Sequence, residues 1–514
     1  MQGLGSASDE TWDAIVIGAG NAALTCAATL ARAGKRTLLL ERHNVPGGCG
    51  TSFMRGRFEF EVALHQLSGV GSEDSPGVLR AMLDELGVTK NLEFVHERDL
   101  YRVFVPGEID CTLPADREGF TEVLKGEFPD EGPAIDRFVD LVHRTAPQFF
   151  AGRDLLETKY TADEAREKYP EYFRYGLSTA KEVLDEFFED EKLKHLLAAY
   201  WGYLGSPPSE MRFTGLALLL WAYHLWKPSH VVGGSQAISN AILDAFHEAG
   251  GRSRFSCGVR RILVEDGRAT GVETEAGERI SAEVVVSNVS PIVTYSQMMD
   301  PAGVPEWVHR DMASRKIGVS GFVVYAGLDC DPGDLGIETS LTFIGRDLDH
   351  DLAVRQMRSF EPPGYVLFSC FDYANPDFSP KGASQVALVT LQYADHWLGL
   401  EPEEYADAKY ACAEHLMEMA EGCYPGFRSR IEEVDVSTPL THMRYLGHPG
   451  GAIYGFEQDV MDTEILHRPQ VDPPIANLHL AGSWVVTGGF QPTLQAGAAL
   501  AQHLISIPSE ETQR

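Results

Sequence analysis

Residues 14–23 read Ala-Ile-Val-Ile-Gly-Ala-Gly-Asn-Ala-Ala, and this stretch decides the fold class. Its first four residues are apolar, as a buried parallel strand requires, and the pattern G-x-G-x-x-A follows at once. Residues 21–33 are mostly small and compatible with a helix, Gly34 can end that helix, and residues 36–40 predict a second apolar strand. This order predicts a parallel βαβ unit, so the fold class is α/β with a Rossmann-type start.

Such a unit binds the pyrophosphate of a dinucleotide at the helix N-terminus. Gly18 permits the tight turn, Gly20 lets the backbone approach the phosphates, and Ala23 lets the helix pack closely on the strand. Glu41 ends the second strand, where its carboxylate can accept hydrogen bonds from an adenosine ribose. The glycine pattern alone also fits an ordinary turn, but strand, helix and acid together predict a dinucleotide site. These features do not distinguish an FAD site from an NAD site.

Two further glycine segments favour a flavin dinucleotide. Residues 46–52 read Pro-Gly-Gly-Cys-Gly-Thr-Ser, which predicts a second backbone segment against the same phosphates rather than a flexible loop. Residues 477–484 predict a strand running into a turn, and residues 488–493 lead into a helix over 494–504. This late strand, turn and helix could return to the first strand and close over a flavin.

Composition excludes several classes of function. The 514 residues carry 43 basic and 75 acidic side chains, a net charge of −32, which repels nucleic acid and anionic membrane surfaces. Any membrane contact must therefore be apolar and peripheral, and without a signal-peptide pattern we expect a cytoplasmic protein. The eight cysteines are scattered and form no C-x-x-C, so neither a disulfide framework nor a metal site is expected. Metalloprotease, serine hydrolase and P-loop motifs are missing as well.

Several motifs together carry a resemblance to a known family. Residues 58–65 read Phe-Glu-Phe-Glu-Val-Ala-Leu-His, similar to F-x-F-D-x-G-x-H, and further matches lie at 46–52, 233–237, 284–288, 438–441 and 480–482. Over nearly its whole length the chain resembles the FAD-dependent carotenoid desaturase, carotenoid isomerase and retinol saturase family, within the amine-oxidase-like flavoproteins, and above all the retinol saturase branch. It departs from that pattern at Glu61 and Ala63, and at Ser483 and Trp484, where retinol saturases carry a Gln.

The resemblance implies FAD as the cofactor and, through its backbone, a contact of Val259 with the adenine side. The alternative for Val259 is a plain strand valine in the core. Together with the glycine segments, this gives a set of cofactor-binding candidates. They are Gly18, Gly20, Asn21, Ala22, Ala23, Glu41, Arg42, Gly48, Cys49, Gly50, Thr51, Ser52, Val259, Gly482, Ser483, Gln491, Pro492 and Thr493.

The chain divides into five segments that build a Rossmann-type FAD-binding domain with an inserted α+β substrate domain. Residues 1–99, 228–290 and 455–514 are assigned to the FAD-binding domain. Residues 100–227 are expected to be mainly helical, and residues 291–454 to supply an antiparallel sheet, because 321–328 and 385–393 alternate apolar and polar residues. The second FAD segment predicts a helix over 236–249 and strands within 252–263, at 269–275 and at 279–287.

Residues 213–226 are rich in Leu, Trp, Tyr and Phe but too short for a transmembrane helix. They predict a buried helix; the alternative is a tunnel wall or a membrane-dipping segment. By this second interpretation Trp221, like Trp484 near the flavin, would line a substrate pocket.

Flavin chemistry points to a proton-handling group beside the substrate. A flavin supplies hydride transfer, so reducing an isolated double bond also needs an acid. His65 is the first candidate because histidine titrates near working pH, with a structural histidine as the alternative. Tyr454 and Glu457 are further catalytic candidates, whereas Glu61 is expected to brace its loop.

The sequence thus predicts an FAD-dependent oxidoreductase acting on carbon-carbon double bonds of a hydrophobic polyene or isoprenoid, first of all a saturase. Desaturation and cis/trans isomerisation of a carotenoid are the alternatives, and a non-catalytic lipid-binding flavoprotein is the alternative outside enzymes. No second G-x-G-x-x-G follows a strand, so the electron donor or acceptor stays open among a nicotinamide, a redox partner, a quinone and oxygen.

Overall fold

The first of two large sheets is mixed, with a parallel part and two antiparallel strands at one edge. The computed structural model describes residues 11–150, 160–459, 473–485 and 487–507. Its first sheet runs in the order β10-β11-β12-β1-β2-β9, with β18 also paired to β12. The strands are β1 (Trp12–Ile17), β2 (Thr37–Leu40), β9 (Arg252–Arg254), β10 (Val259–Glu265), β11 (Arg268–Thr274), β12 (Arg279–Ser287) and β18 (Leu478–Leu480).

The predicted βαβ start is confirmed. β1 lies between β2 and β12 in parallel register, with Val16 opposite both Leu39 and Val286. The connecting helix is Asn21–Arg32. β18 extends the parallel part beside the last residues of β12, so the late segment returns to this sheet, although not to the first strand as the sequence suggested, because β12 lies between β1 and β18.

Two helices far apart in sequence pack on each other over this sheet. In the helix Asn21–Arg32, the Thr25 hydroxyl donates to the Leu494 carbonyl at 2.8 Å. A Cβ at Gly497 would overlap the Ala22 carbonyl oxygen, so only glycine allows this approach of the helix Phe490–Ser506. The first and last parts of the described chain are therefore one packed layer.

The single strand predicted within 252–263 is instead two strands at opposite edges of the first sheet, β9 beside β2 and β10 beside β11. Between them the Ser256 N–H donates to the His43 carbonyl and the Cys257 N–H to the Glu41 carbonyl, both at 2.8 Å. Ser256 has a φ of 51°, which turns the chain away from β9.

A second, mostly antiparallel sheet is built from strands between residues 99 and 437. Its order is β17-β13-β16-β15-β14-β6-β7, and only β14 and β6 pair in parallel. Its strands are β6 (Asp99–Val105), β7 (Ile109–Pro114), β13 (Ser320–Leu328), β14 (Leu341–Gly345), β15 (Tyr365–Cys370), β16 (Ser384–Gln392) and β17 (Ile431–Ser437). The antiparallel sheet predicted from residues 321–328 and 385–393 is thus formed by β13 and β16.

The first insertion, residues 100–227, begins with strands and continues with helices. Residues 99–114 form β6 and β7, and β6 pairs with β14, so the two insertions share one sheet. Helices begin only after this hairpin. In the insertions they are Arg117–Glu127, Gly132–Phe150, Ala162–Lys168, Pro170–Tyr175, Ala180–Phe187, Glu191–Ala198, Trp201–Leu204, Phe213–Trp226, Pro291–Ser296, Glu306–Ser314, His350–Gln356, Phe371–Ala374, Pro402–Cys423 and Pro439–Leu446.

The structure also contains two two-stranded sheets and two further helices. β3 (Ser52–Arg55) pairs with β4 (Phe58–Glu61), and β5 (Phe94–His96) pairs with β8 (Ser229–Val231). The remaining helices are Val78–Glu85 and Gly234–Glu248. Across the described ranges, no helix combines the length and apolarity needed to cross a bilayer.

Candidate active site

The two glycine segments near the start of the chain touch each other. The Gly47 N–H donates to the Ala19 carbonyl at 2.8 Å. A Cβ at Gly48 would lie 3.2 Å from the Gly20 Cα, and Gly18 has a φ of 90°, open mainly to glycine. Both segments line one large cavity, so two stretches of glycine backbone lie side by side at the same place.

Glu41 lies in the wall of this cavity beside the first glycine segment. Its carboxylate accepts from the Ala19 N–H at 2.6 Å and from the His43 N–H at 2.7 Å, which fixes the side chain at the end of β2. Residues 256–257 hydrogen-bond to residues 41–43, and this brings Val259 and Arg260 to the same cavity wall. This end of the cavity suits the adenosine half of a dinucleotide.

Two helix N-termini without side-chain caps face the cavity. Gly20 precedes the helix Asn21–Arg32 and Gly489 precedes the helix Phe490–Ser506, and neither helix receives a capping side-chain hydrogen bond. Their first N–H groups and the positive ends of their dipoles are therefore available to electron-rich groups. The Oδ1 atoms of Asn21 and Asn288 are also buried without a hydrogen-bond partner in this wall. These unpaired polar atoms fit a bound dinucleotide.

Most predicted cofactor-binding residues line the cavity. They are Gly18, Gly20, Asn21, Ala22, Glu41, Arg42, Gly48, Cys49, Thr51, Ser52, Val259, Gly482, Ser483, Gln491, Pro492 and Thr493. Ala23 and Gly50 lie behind the wall: Ala23 is fully buried between helix and sheet, and the Gly50 carbonyl accepts from the Ser239 hydroxyl. These two support the glycine segments rather than line the cavity.

The other half of the cavity has an apolar wall built on the second sheet. Val323, Val389 and Leu367 lie side by side on β13, β16 and β15, since Val389 is in register with both of the others. Apolar and aromatic side chains of the helical cap line the cavity as well. These include Tyr203, Leu204, Met211, Leu218, Leu219 and Trp226.

The volume of the cavity exceeds what one ligand needs. It is about 2060 Å³, whereas ordinary small-molecule sites measure about 300–1,000 Å³. Its polar and apolar halves are continuous, so a dinucleotide and a hydrophobic molecule can lie in contact.

His65 lies in this wall, but not in the protonation state that the sequence suggested. The ring is 8% exposed, its Nδ1 is buried without a partner, and it stacks on Phe371. Burial, and then the positive charge of His230, lower the pKa of His65 from 6.5 to about 4. The expectation that His65 titrates near working pH is therefore wrong, because the ring is neutral there; once protonated, it is a stronger acid than an ordinary imidazolium.

A His65→Gln variant is expected to lose less stability in acid than the wild type. Between the ordinary pKa of 6.5 and the folded value of about 4, the unfolded chain binds a proton that the folded chain does not. The free energy of unfolding therefore falls as pH drops through this window, by about 2 kcal/mol between pH 7 and 5 for this ring. Urea unfolding of both proteins at the two pH values measures this difference, and equal losses would contradict a buried neutral ring.

The other acid-base candidates are held by hydrogen bonds. Tyr454 lines the cavity, but its hydroxyl donates to the Tyr203 carbonyl at 2.5 Å, and burial raises its pKa. Glu457 lies outside the cavity wall and accepts from the Tyr393 hydroxyl at 2.6 Å; burial raises its pKa too. The structure therefore gives Glu457 no contact with the space where a substrate would lie.

Glu61 has the bracing position expected of it. Its buried carboxylate accepts from the backbone N–H groups of Ala63 and Leu64, both at 3.1 Å. It also accepts from the N–H and the hydroxyl of Ser235, at 2.7 and 2.6 Å. The longer Glu in place of the family's Asp thus links the loop before His65 to the start of the helix Gly234–Glu248.

The two tryptophans expected beside the substrate differ in position. Trp484 lines the cavity, is nearly fully buried, and has an indole N–H without a hydrogen-bond partner. Trp221 lies outside the cavity wall and packs edge-on against Trp226, which lines it. Trp226 therefore takes the position that the sequence suggested for Trp221.

Sequence reasoning missed three polar residues of the wall. Asn288 directly follows the apolar strand β12, and a polar residue at that end of a parallel strand is a usable signal. Tyr203 comes from a four-residue helix within the cap, and Gln66 from an irregular loop, so no periodicity marks either.

Comparison with known proteins agrees with this site. A family model described as flavin containing amine oxidoreductase matches residues 23–505. All-trans-retinol 13,14-reductase of Danio rerio is 27% identical over 527 residues, covering 96% of this chain and 85% of its own. Prolycopene isomerase 2, chloroplastic, of an Oncidium hybrid cultivar is 24% identical over 494 residues, covering 92% and 80%. The solved structure of putrescine oxidase bound to putrescine matches with a TM-score of 0.65 at 16% identity, covering 97% and 100%.

Fold and site together define a dinucleotide-dependent oxidoreductase with a hydrophobic chamber. The chain belongs to the flavin-containing amine oxidoreductase family, whose model spans nearly all of it. The cofactor is FAD, as predicted. The resemblance to carotenoid isomerases and retinol saturases is confirmed as well.

Proposed function

We propose that this chain saturates one carbon-carbon double bond of a hydrophobic polyene or isoprenoid, such as a retinoid or carotenoid, at the expense of reduced FAD. The observation that carries this proposal is the single continuous cavity, whose polar half fits the dinucleotide and whose apolar half is walled by Val323, Leu367 and Val389. Retinol reductase and prolycopene isomerase activities in related proteins support the same class of substrate.

The residues of the chamber have distinct tasks in such a reaction. Reduced flavin supplies a hydride at N5. The apolar wall excludes water, so the accompanying proton must come from a protein group. His65 touches the chamber and is the candidate donor, because the hydroxyls of Tyr203 and Tyr454 already donate to carbonyl oxygens.

Isomerisation is the second candidate function, and the neutral state of His65 favours it. An imidazole with a pKa of about 4 carries a proton only rarely near neutral pH, whereas isomerisation needs no net proton.

We also propose a cytoplasmic location with peripheral, apolar contact to a membrane, from which the substrate is collected. The exposed Leu225 supports this contact because it lies next to Trp226, which lines the cavity.

The deciding experiment mixes FAD-loaded protein with all-trans-retinol or a carotene without oxygen, starting from dithionite-reduced and from oxidised flavin in parallel. Flavin and polyene spectra are recorded together. Reoxidation of reduced flavin with shortened conjugation is the expected result. Bleaching of oxidised flavin with lengthened conjugation would make the chain a desaturase, and a changed isomer with unchanged flavin would make it an isomerase. Unchanged flavin and polyene spectra in both arms would favour a non-catalytic lipid binder.

A further inference from the structure

One row of residues crosses four strands of the second sheet and lines the cavity along its whole length. Leu367 of β15 is in register with Val389 of β16, and Val389 with Val323 of β13. Val323 is in register with Ser437 of β17, the edge strand. Neighbouring strands lie about 4.8 Å apart, so the row extends over roughly 14 Å. It is apolar on three strands and ends on a hydroxyl at the edge of the sheet.

Two basic side chains, Lys409 and Arg444, lie in the cavity wall beside this edge. Arg444 belongs to the helix that follows β17 after the single residue Thr438. Lys409 lies one turn after Tyr405 on the helix Pro402–Cys423, and the hydroxyl of Tyr405 is 3.0 Å from that of Thr438. Both bases are therefore held close to the end of the row.

The two bases keep their charge without a carboxylate partner. Within the described ranges, neither Lys409 nor Arg444 forms an ion pair. Asp435 of β17 also lines the cavity, but its carboxylate pairs with Arg55 at 2.6 Å. The cavity wall is therefore positively charged where the row ends.

The phosphates of the cofactor have other donors. They are assigned to the glycine segments around Gly20 and Gly48 and to the uncapped start of the first helix. Arg42 links that part of the wall to the bases, because its guanidinium donates at 2.7 Å to the carbonyl of the residue after Arg444. The adjacent Glu41 balances the charge of Arg42. Lys409 and Arg444 thus remain available to a second anionic group.

The charge of the whole chain does not cancel this local attraction. At physiological salt, charges more than about 8 Å away are largely screened, so a ligand in the cavity responds to the side chains around it rather than to the net charge of −32. A charged group is poorly accommodated over the three apolar residues of the row. An amphipathic molecule lying along the row therefore places its apolar part over these residues and its charged end beside Lys409 and Arg444.

We propose that the substrate is an isoprenoid polyene with an anionic headgroup, a carboxylate or a phosphate, bound by Lys409 and Arg444 at the end of the row. This inference rests on the proposed function and narrows its substrate class. A polyene alcohol or a hydrocarbon fits the apolar part of the same cavity, but neither carries the charge that the two bases attract. Lys409 and Arg444 are thereby specificity-determining residues that contact the headgroup and not the double bond.

The test compares three retinoids that share one polyene and differ in headgroup: all-trans-retinol, all-trans-retinoic acid and retinyl phosphate. FAD-loaded protein with oxidised flavin is titrated with each at low salt and slightly alkaline pH. Quenching of tryptophan fluorescence gives Kd, because Trp226 and Trp484 line the cavity. The two anionic retinoids are expected to bind about tenfold tighter than retinol, an advantage that shrinks at about 0.5 M salt. The tighter of the two anions identifies the headgroup as a carboxylate or a phosphate.

Lys409→Met and Arg444→Gln each remove one charge and keep much of the side-chain length. Each should weaken binding of the anionic retinoids about fivefold and that of retinol less than about twofold, the usual size for a partly exposed ion pair. Lys381→Met is the matched control, because Lys381 is an exposed lysine outside the cavity wall. It should change none of the three affinities, and the FAD content of all three variants should equal that of the wild type.

Retinol binding as tightly as both anions, or more tightly, would overturn the anionic-headgroup site. An equal loss for retinol and the anions in the two variants would overturn it too, since that indicates a change of shape rather than a lost charge. Loss of FAD from both variants would also count against it, because the two bases would then hold the phosphates of the cofactor. Polyene-dependent reoxidation of reduced flavin is measured in parallel. If the anions bind as expected and none of the three retinoids reoxidises the flavin, the proposed function fails and the headgroup site stands.

Discussion

Replacing Gly47 with Ala is expected to leave the protein with less than about a tenth of its FAD. Gly47 has a φ of 121°, and a Cβ there would overlap the carbonyl oxygen of Gly50. Backbone cannot yield as a flexible side chain does, so the Gly47 to Ala19 hydrogen bond and the contact between the two glycine segments must shift. Strain of about 3 kcal/mol corresponds to roughly a hundredfold loss of affinity. The flavin to protein absorbance ratio after purification and FAD titration measures this loss.

Gly34→Ala isolates the effect of the overlap. Gly34 also has a positive φ, 81°, but nothing lies within 4 Å of a Cβ built there. It should cost about 1 kcal/mol of stability and keep full FAD content. If both variants retained FAD equally, the close packing of the two glycine segments would not be what forms the phosphate site.

Replacing Val389 with Trp is expected to lower kcat/KM for a polyene about a hundredfold while the flavin stays bound. Val389 lies in the middle of the apolar wall, between Val323 and Leu367 on the neighbouring strands. An indole there would displace a stretch of about four carbons of a stiff conjugated chain. At about 0.8 kcal/mol per buried CH₂ this costs about 3 kcal/mol, or roughly a hundredfold in kcat/KM. Reoxidation of reduced flavin at several polyene concentrations measures it.

Val389→Leu adds one methylene at the same position and should cost less than about tenfold. FAD content should be unchanged in both variants, because β16 belongs to the second sheet and the glycine segments lie with the first. Full polyene turnover by the Trp variant would mean that the substrate binds elsewhere in the cavity.

The cofactor half of the site could be predicted because its signals are local. The run of apolar residues before Gly18 and the glycines at 47 and 48 each specify backbone conformation at their own positions. The position of Glu41 could be predicted because one helix and one strand of ordinary length separate it from Gly18. The strand β18 could be predicted for the same reason, because a glycine turn follows its apolar residues at once.

The substrate half could be predicted only in outline, because its walls depend on pairing between distant segments. Nothing near β6 in sequence shows that it pairs with β14, so the sequence did not separate this hairpin from the mainly helical stretch predicted over residues 100–227. The helix Phe213–Trp226 is apolar on every side, so its sequence does not tell which tryptophan faces the cavity. The low pKa of His65 arises from burial by residues far along the chain, which no local pattern encodes.

The construction of the first sheet also determines when the protein can finish folding. Residue 16 pairs with residue 286 and residue 285 with residue 478, so β1 and β12 each have one neighbouring strand from much later in the chain. Sheets closed by such distant contacts fold slowly and expose apolar edges meanwhile. This sheet is complete only after residue 480 has been synthesised, and FAD, which binds the folded site, is expected to stabilise the protein from that point on.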